Sequence, residues 1–393
     1  MIGFAMCGKP QFSGERVNVA LGELCEILNG YAFKSKQYVG EGIRVIRIAN
    51  VQKGYLEDSH PCFYPASEKG SIAQFLLYEN DLLLSLTGNV GRVALLDKRF
   101  LPAALNQRVA CLRIKDESRL SKRYLFHCLN STCFENKCVE SANGIAQKNL
   151  STVWLKGYKI SVPQLDKQLE IARRFDLIQG QIDYAKAHLV KLDALVKSRF
   201  IEMFGDPNDL CPLTFIEDGF SIRDDLRKPL SGAERSDMHD GELYPYYGAN
   251  GVVDHINSYL TDFNALCFAE DCGSYGAGEA STYIIEGRGW VNNHAHLLKP
   301  KEDCLLEYAD TYFYLLDLNR LISGTTRAKL TQTQLRQIRF EIPPLALRCC
   351  FTAFYRQVDK LRFMLLANPS PAFGCRSFCC STNSGNGGVI LDA

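Results

Sequence analysis

The stretch SANGIAQKNLSTVWLKGYKISVPQL, Ser141 to Leu165, returns as ISGTTRAKLTQTQLRQIRFEIPPL, Ile322 to Leu345. Gly144 and Gly324, Leu150 and Leu330, Pro163 and Pro343, and Leu165 and Leu345 each stand 180 residues apart. A chain of 393 residues is too long for one ordinary core. The repeat therefore divides it into two modules that state the same fold twice.

The order of elements supports that division. In the first half, VIRIANVQKG, NDLLLSLTG, RVALLD and RVACLRIK read as short strands separated by Gly, Asn and Asp. SRLSKRYLFHCLNSTCFENKCVES then reads as one helix, capped by Ser118 or Ser121. The repeated block follows and ends in a strand, YKISVPQL, that Pro163 terminates. In the second half LCFAED, STYIIEG and HAHLLKP are the strands, and LEYADTYFYLLDLNRLI is the matching helix. Each half is an α+β domain.

A helix follows each domain. Ile171, Phe175, Ile178, Ile182, Ala185, Leu189, Leu192 and Val196 alternate steps of four and three, an a/d seam. A helix from 166 to about 203 would be roughly 57 Å long. Leu347, Phe351, Phe354, Val358, Leu361 and Leu365 repeat the spacing in the second half. Two stripes this narrow are most simply satisfied by packing on each other, with the chain returning antiparallel; the alternative is that each packs on its own domain. The fold class expected is thus α+β, with two repeated α/β domains separated by long helices in an antiparallel coiled coil.

Composition excludes several classes. The apolar fraction of 46% and charged fraction of 23% are those of a soluble globular chain. No run of about 18 apolar residues exists. MIGFAMCG lacks the basic n-region and long h-region of a secretory signal. A cytoplasmic protein without membrane partners is expected. The 16 cysteines scatter through apolar stretches (Cys25, Cys111, Cys128, Cys267), as reduced core thiols would, rather than forming a disulfide framework.

Catalytic motifs are missing. GFAMCGKP follows a P-loop pattern for seven positions, but Pro10 stands where Ser or Thr must hold the metal. GSYGAG has its glycines in the wrong order for a dinucleotide turn, and reads as a loop between strands. Cys128, Cys133 and Cys138 are at five-residue steps, which suits neither zinc nor one helix face. His294 and His296 flank Ala295 as residues on one strand face, better read as a hydrogen-bonded or ligand-facing pair than as a metal pair. No nucleophile–base set, metal site or cofactor loop is expected.

Charge is unevenly spread although the net is only +1. Residues 31–53 hold Lys34, Lys36, Arg44, Arg47 and Lys53 against Glu41 alone. Residues 320–340 hold Arg320, Arg327, Lys329, Arg336 and Arg339 and no acid. Such segments can assemble one phosphate-binding face. Polar residues on turns supply the reading groups. Tyr31, Lys34 and Lys36 lie in NGYAFKSKQY, and Arg47 and Asn50 follow in the next strand and turn. Thr87, Asn89 and Arg92 lie in LTGNVGR, Asn106, Gln107 and Arg108 in LNQRV, and Gln147 and Lys148 in the repeated block. The second half offers Tyr246, Tyr247 and Asn250 in YPYYGANG, Ser274 in GSYGAG, and Asn293 and His294 in NNHAH. Its block adds Thr325, Thr326, Arg327 and Lys329. Asn and Gln can pair bidentately with adenine and Arg with guanine. Hydroxyls, backbone amides and Lys suit phosphates.

In order, GYAFKSKQY, VIRIANVQKG, NDLLLSLTGNVG, LNQRVACLRI, QLEIARRFD and MFGDP, then YPYYGANG, NNHAHLLKP, ISGTTRAKLTQTQL and FEIPPLA, resemble the DNA-specificity subunit of Type I restriction–modification systems over about residues 20–365. The resemblance implies two target-recognition domains, each reading half of a bipartite double-stranded site, separated by two antiparallel helices. It implies docking of methyltransferase (modification) subunits on those helices, with a motor-nuclease (restriction) subunit joining them. It implies no active site in this chain, S-adenosylmethionine and ATP belonging to the partners. Specificity for a stand-alone or bifunctional methyltransferase, or a coiled-coil scaffold for protein or glycan, are the alternative functions.

The domains so implied are an atypical leader 1–16, recognition domain 17–165, spacer helix 166–204, recognition domain 205–345, a shortened spacer helix 346–367, and a tail 368–393 expected to be disordered from its Pro, Ser, Gly and Cys content. Two departures stand out. The leader does not look like the usual start, and Arg348, Cys349 and Cys350 replace Gln168, Leu169 and Glu170 of the first copy. That replacement and the short second seam put the second methyltransferase dock in question.

Overall fold

The computed structural model describes residues 17–142, 148–271, 275–322 and 329–367. They divide into two compact units, one ending at Gln181 and the other beginning at Ile182.

In the first unit the strands are β1 (Val17–Ala20), β2 (Cys25–Asn29), β3 (Ile43–Ile46), β4 (Phe63–Tyr64), β5 (Leu76–Leu77), β6 (Leu82–Ser85), β7 (Val93–Leu95), β8 (Ala103–Leu105), β9 (Val109–Ile114) and β10 (Lys159–Val162). Helices α1 (Leu21–Leu24), α2 (Lys122–Leu129), α3 (Thr132–Ser141) and α4 (Thr152–Gly157) accompany them, and α5 (Leu165–Phe204) runs on into the second unit. One sheet has the order β2-β9-β6-β7 and another β4-β3-β8-β5, with β3 and β8 parallel. β6 is buried on both faces, which is why it reads as an unbroken apolar run. Leu82 and Leu84 join the core under the helices, with Tyr124, Leu125 and Ala172. Leu83 joins the core against the second sheet, with Ile46, Ala103 and Leu105.

The second unit repeats this plan. Its elements are α6 (Ile216–Gly219), β11 (Phe220–Ile222), α7 (Gly232–Ser236), β12 (Tyr244–Gly248), β13 (Gly251–Ile256), β14 (Thr261–Asp262), β15 (Ala265–Ala269), β16 (Thr282–Ile285), β17 (Arg288–Val291), β18 (Ala295–Pro300), α8 (Leu306–Leu315), α9 (Gln332–Gln337) and α10 (Leu345–Ala367). The sheets are β11-β18-β15-β16 and β13-β12-β17-β14, again with one parallel pair, β12 and β17. Leu266 and Phe268 of β15 face the helical core, whereas Ala265 and Cys267 face the other sheet.

The single helix expected after β9 is two. Ser121 caps α2, and Asn130 and Ser131 interrupt the run. The Ser131 hydroxyl accepts from Phe134 N–H at 3.2 Å and donates to Cys128 O at 2.8 Å, so it ends one helix and starts the next.

The seam is covered only in part. Within the second unit Val196 and Phe200 of α5 meet Phe351 and Val358 of α10 in one core, with Leu192 and Phe354 half-buried beside them. The Phe200 and Phe351 rings are 5.4 Å apart, and Arg362 pairs with Asp193 at 2.7 Å, so the two segments run antiparallel. Phe200 also stacks on Tyr308 of α8, which makes this seam part of its domain's own core. Ile171, Leu189 and Leu365 are half-buried, while Phe175, Ile178, Ile182, Leu347 and Leu361 are exposed. A heptad pattern records where apolar residues stand, and not whether a partner helix reaches them.

The Gln168-to-Arg348 replacement keeps its socket. Gln168 Nε2 donates to Pro163 O (2.8 Å) and Arg119 O (2.9 Å). Arg348 Nε donates to Pro343 O (2.9 Å), and Nη1 to Asp303 O (3.2 Å). Each buried side chain seats the first turn of its helix on the domain before it. The same docking brings Cys349 beside Cys304, and the two form a disulfide with Cα atoms 5.1 Å apart. This corrects the expectation of reduced thiols throughout; Cys25, Cys62, Cys111, Cys138, Cys211, Cys267 and Cys350 are free thiols.

On α8, burial pushes the Asp310 carboxyl up to about 6, against a hydrogen bond from Thr282 Oγ1 at 2.8 Å. A raised carboxyl binds its proton more tightly when folded, so its penalty is absent below about pH 4 and grows as pH rises through 6. Asp310→Asn is therefore expected to stabilise the second unit by about 1–2 kcal/mol at pH 8, discounted for the residue's accessible edge, and by nothing at pH 4. Native-state hydrogen exchange of the second unit across that range checks it; an equal gain at both ends would refute the assignment.

Candidate nucleic-acid interface

Both units build the same corner from three segments distant in sequence. In the first unit the turn after β8 carries Asn106, Gln107 and Arg108. Asn106 N–H donates to Ile46 O (3.2 Å), and Asn106 Oδ1 accepts from Arg108 N–H (3.2 Å), so the buried amide holds the turn open between its neighbours. The chain leaving β6 lies alongside: Leu86 N–H donates to Arg108 O at 2.9 Å. The repeated block closes the set, with Leu150 N–H on Leu86 O at 2.7 Å and Thr87 Oγ1 donating to Asn149 Oδ1 at 2.9 Å.

The second unit reproduces four of these five bonds, all but the Thr87–Asn149 side-chain pair. Asn292 N–H donates to Tyr247 O (3.0 Å), and Asn292 Oδ1 accepts from His294 N–H (2.8 Å). Glu270 N–H donates to His294 O and Leu330 N–H to Glu270 O, both at 2.8 Å. Asn292, Asn293 and His294 thus stand where Asn106, Gln107 and Arg108 stand in the first unit. This is the physical reason for the repeated block: it is the third wall of the corner.

Side chains at the two corners differ. The first is open, a pocket of about 300 Å³ lined by Phe33, Arg47, Ile48, Ala49, Asn106, Gln107 and Arg108. Gln107 and Arg108 are exposed, as are Tyr31, Lys34, Lys36, Asn89 and Lys148. The Tyr31 ring is braced edge-on against Phe33 at 5.0 Å, with the two centres set by the same turn. In the second, Asn250 and Asn293 are exposed and His294 Nδ1 lies 2.7 Å from Asp271 Oδ1.

Behind the second corner lies a charge network that the described residues of the first corner do not form. His296 is fully buried, with Nδ1 2.7 Å from Asp224 Oδ2 and Nε2 2.8 Å from Leu330 O. Asp224 also pairs with Arg227 (3.0 Å) and accepts from Leu297 N–H (3.0 Å). Arg227 pairs in turn with Glu270 (2.6 Å), and Glu270 with Lys329 (3.0 Å). Burial would push the Asp224 carboxyl up, but His296, Leu297 N–H and Arg227 together hold it below the ordinary carboxylate value. Glu270 behaves alike: burial raises it, and Arg227, Lys329 and His296 more than offset that. The ladder places Ala110 and Leu86 at the positions of His296 and Glu270, so the first corner is uncharged there.

Several expected contacts are corrected by this geometry. Tyr246 and Tyr247 are core residues; the Tyr246 hydroxyl accepts from Leu230 N–H at 2.9 Å, and Tyr247 packs with Tyr283. Asn50 is buried, its amide spent on Arg47 N–H and Glu57 O, both at 2.9 Å. Thr87 and Asn106 are likewise consumed in holding the corner. Arg47 Nη2 donates to His60 O and Arg92 Nη1 to Gln52 Oε1. Polar type on a Gly-rich turn does not distinguish a side chain that faces outward from one that builds the turn. His294 and His296 are a hydrogen-bonded pair of positions, each with its own carboxylate. Gln147, Ser274, Thr325, Thr326 and Arg327 lie outside the described residues. Asn292, Asn149, Glu270 and Asp271, which the sequence reading passed over, are the structural partners of the candidates.

Comparison with known proteins agrees with the duplicated plan. The family model described as "Type I restriction modification DNA specificity domain" matches residues 15–193 and 229–347. The EcoBI Type I restriction enzyme specificity subunit of Escherichia coli is 26% identical over 183 residues, 46% of this chain and 36% of that one. The MjaVIII specificity subunit of Methanocaldococcus jannaschii is 27% identical over 183 residues, 46% of this chain and 43% of that one. The match thus spans less than half the length of each of these two relatives. The crystal structure of a Type I restriction–modification S subunit from M. genitalium superposes with a TM-score of 0.62 at 14% identity, over 92% of this chain and 94% of that one, which speaks for the fold.

Proposed function

We propose, for a chain that belongs to the Type I restriction–modification DNA specificity family, that each unit reads one half of a split double-stranded DNA site and that α5 joins the two readings. The observation that carries this is the corner built twice with one backbone and different side chains. A common frame would fix the position of each reader, and Gln107 with Arg108 against Asn293 with His294 would make the half-sites unlike. Gln and Asn suit adenine, Arg suits guanine.

The spacer reading rests on α5 as one continuous helix and on its antiparallel contact with α10 inside the second unit. Its exposed apolar residues, Phe175, Ile178 and Ile182, suit a docked modification subunit. Methyl transfer, cleavage, S-adenosylmethionine and ATP are assigned to the modification and motor-nuclease partners. The purified chain with S-adenosylmethionine is expected to leave DNA unmethylated and uncut; transfer of a labelled methyl group by the chain alone would overturn this assignment.

Selection from randomised duplexes tests the reading itself. A bipartite motif is expected, with Gln107→Ala relaxing only the first half and Asn293→Ala only the second, each by about 1–3 kcal/mol of discrimination. Asn106→Ala and Asn292→Ala should weaken binding more generally, because they hold the turns. Relaxation of both halves by one exposed-site variant would defeat the division of labour.

A further inference from the structure

We infer that Glu270 is an electrostatic gate on the second reader: it holds Lys329 in an internal ion pair that a DNA phosphate must displace. The inference rests on the DNA-binding reading above and adds a regulatory residue to it. The Lys329 ammonium lies 3.0 Å from Glu270 Oε1, and its side chain is 50% exposed whereas that of Glu270 is 15% exposed. The cation is therefore at the surface and its counter-charge is set behind it. Glu270 cannot follow Lys329 outward. Its other oxygen is held by Arg227 at 2.6 Å, and its backbone is tied to His294 O on one side and Leu330 N–H on the other.

When a phosphate approaches, Lys329 exchanges one anion for another, and the fixed carboxylate then repels the backbone beside it. Contacts to phosphate alone gain little from that exchange. Contacts that also seat Asn293 and His294 on bases, through the turn bonded to Glu270, gain those base interactions in addition. Glu270 thus lowers sequence-independent binding more than specific binding, a device of specificity by penalty. The first corner has Leu86 and Asn149 in these places, so the gate belongs to the second reader alone.

The experiment uses the full-length chain and a non-cognate duplex, with affinity measured by anisotropy over a salt series. Glu270→Gln is expected to tighten binding about two- to fivefold near 0.1 M salt, the worth of an exposed ion pair. It should also steepen the log–log salt slope by about 0.9, the signature of one added phosphate contact. Lys329→Ala should leave the wild-type slope on this duplex nearly unchanged, and in that background Glu270→Gln should have no further effect. Glu270→Asp, which keeps the charge, should behave as wild type. Melting curves of all variants establish that folding is retained. An unchanged affinity and slope in folded Glu270→Gln overturns the gate, as does an equal gain in the Lys329→Ala background, which would assign it to Arg227. Absence of salt-dependent duplex binding by the wild-type chain would instead overturn the functional reading on which the gate depends.

Discussion

Asp224→Ala is expected to cost the second unit about 3–5 kcal/mol, the usual result of removing one partner from a buried charge pair. The carboxylate is nearly inaccessible and meets His296, Arg227, Gln332 and Leu297 N–H at 2.7–3.0 Å. Truncation leaves a fully buried imidazole and a largely buried guanidinium without it. Because His296 Nε2 also holds Leu330 O, the repeated block should loosen from the corner, and second half-site reading should fail with it. Asp224→Asn keeps the shape and should fall between the two. Native-state hydrogen exchange resolves the units, which a single melting temperature does not. Protection should drop in β15 and β18 and persist in β6 and β9. Unchanged protection in β15 would mean that the network contributes nothing.

The pH dependence has a definite sign. Asp224 and Glu270 are both held below the ordinary carboxylate value. Their contribution is full above about pH 4, where the unfolded carboxyls are already ionised, and is lost as pH falls through the depressed folded values. Asp310 runs the opposite way. Acid should therefore weaken the corner while relieving α8.

What the sequence disclosed depended on register. The repeated block kept an offset of 180, so its two copies were legible side by side, and their shared docking through Leu150 and Leu330 follows from it. Asn106 and Asn292 do the same work in the two turns but stand 186 residues apart, because loops of unequal length intervene. With that shift LNQRVACL and VNNHAHLL align, which makes Asn292 the counterpart of Asn106 and Asn293 that of Gln107. The network of Asp224, Arg227, Glu270, His296 and Lys329 left no local pattern, since its members come from four segments and have no counterpart in the first copy. Burial of Tyr246 and Tyr247 was hidden by their place in a Gly-rich stretch. The heptad stripe was legible as periodicity, but its coverage depends on where α10 reaches.

Lengthening α5 tests whether it is the ruler between half-sites, and B-DNA geometry dictates by how much. One inserted heptad adds about 10 Å, or roughly three base pairs, but three base pairs also rotate the duplex by about 100°. The helix turns by only about −20° over seven residues, so the readers would meet the two half-sites on different faces. Three heptads add about 31 Å, close to the roughly 34 Å of one duplex turn. A 21-residue insertion after Ile182, rich in Glu and Lys at i,i+4 spacing, lies N-terminal to the part of α5 that meets α10 and needs no partner to remain helical. The preferred gap should then widen by about ten base pairs, with both half-site sequences unchanged, because no reading residue has moved. At the original gap the variant should bind about 10²–10⁴-fold more weakly, the loss expected when linked modules can no longer engage together. The single-heptad variant should favour no gap strongly. If the 21-residue variant kept the wild-type gap and affinity while remaining folded and helical, α5 would not set the separation, and the two units would have to be joined by other means.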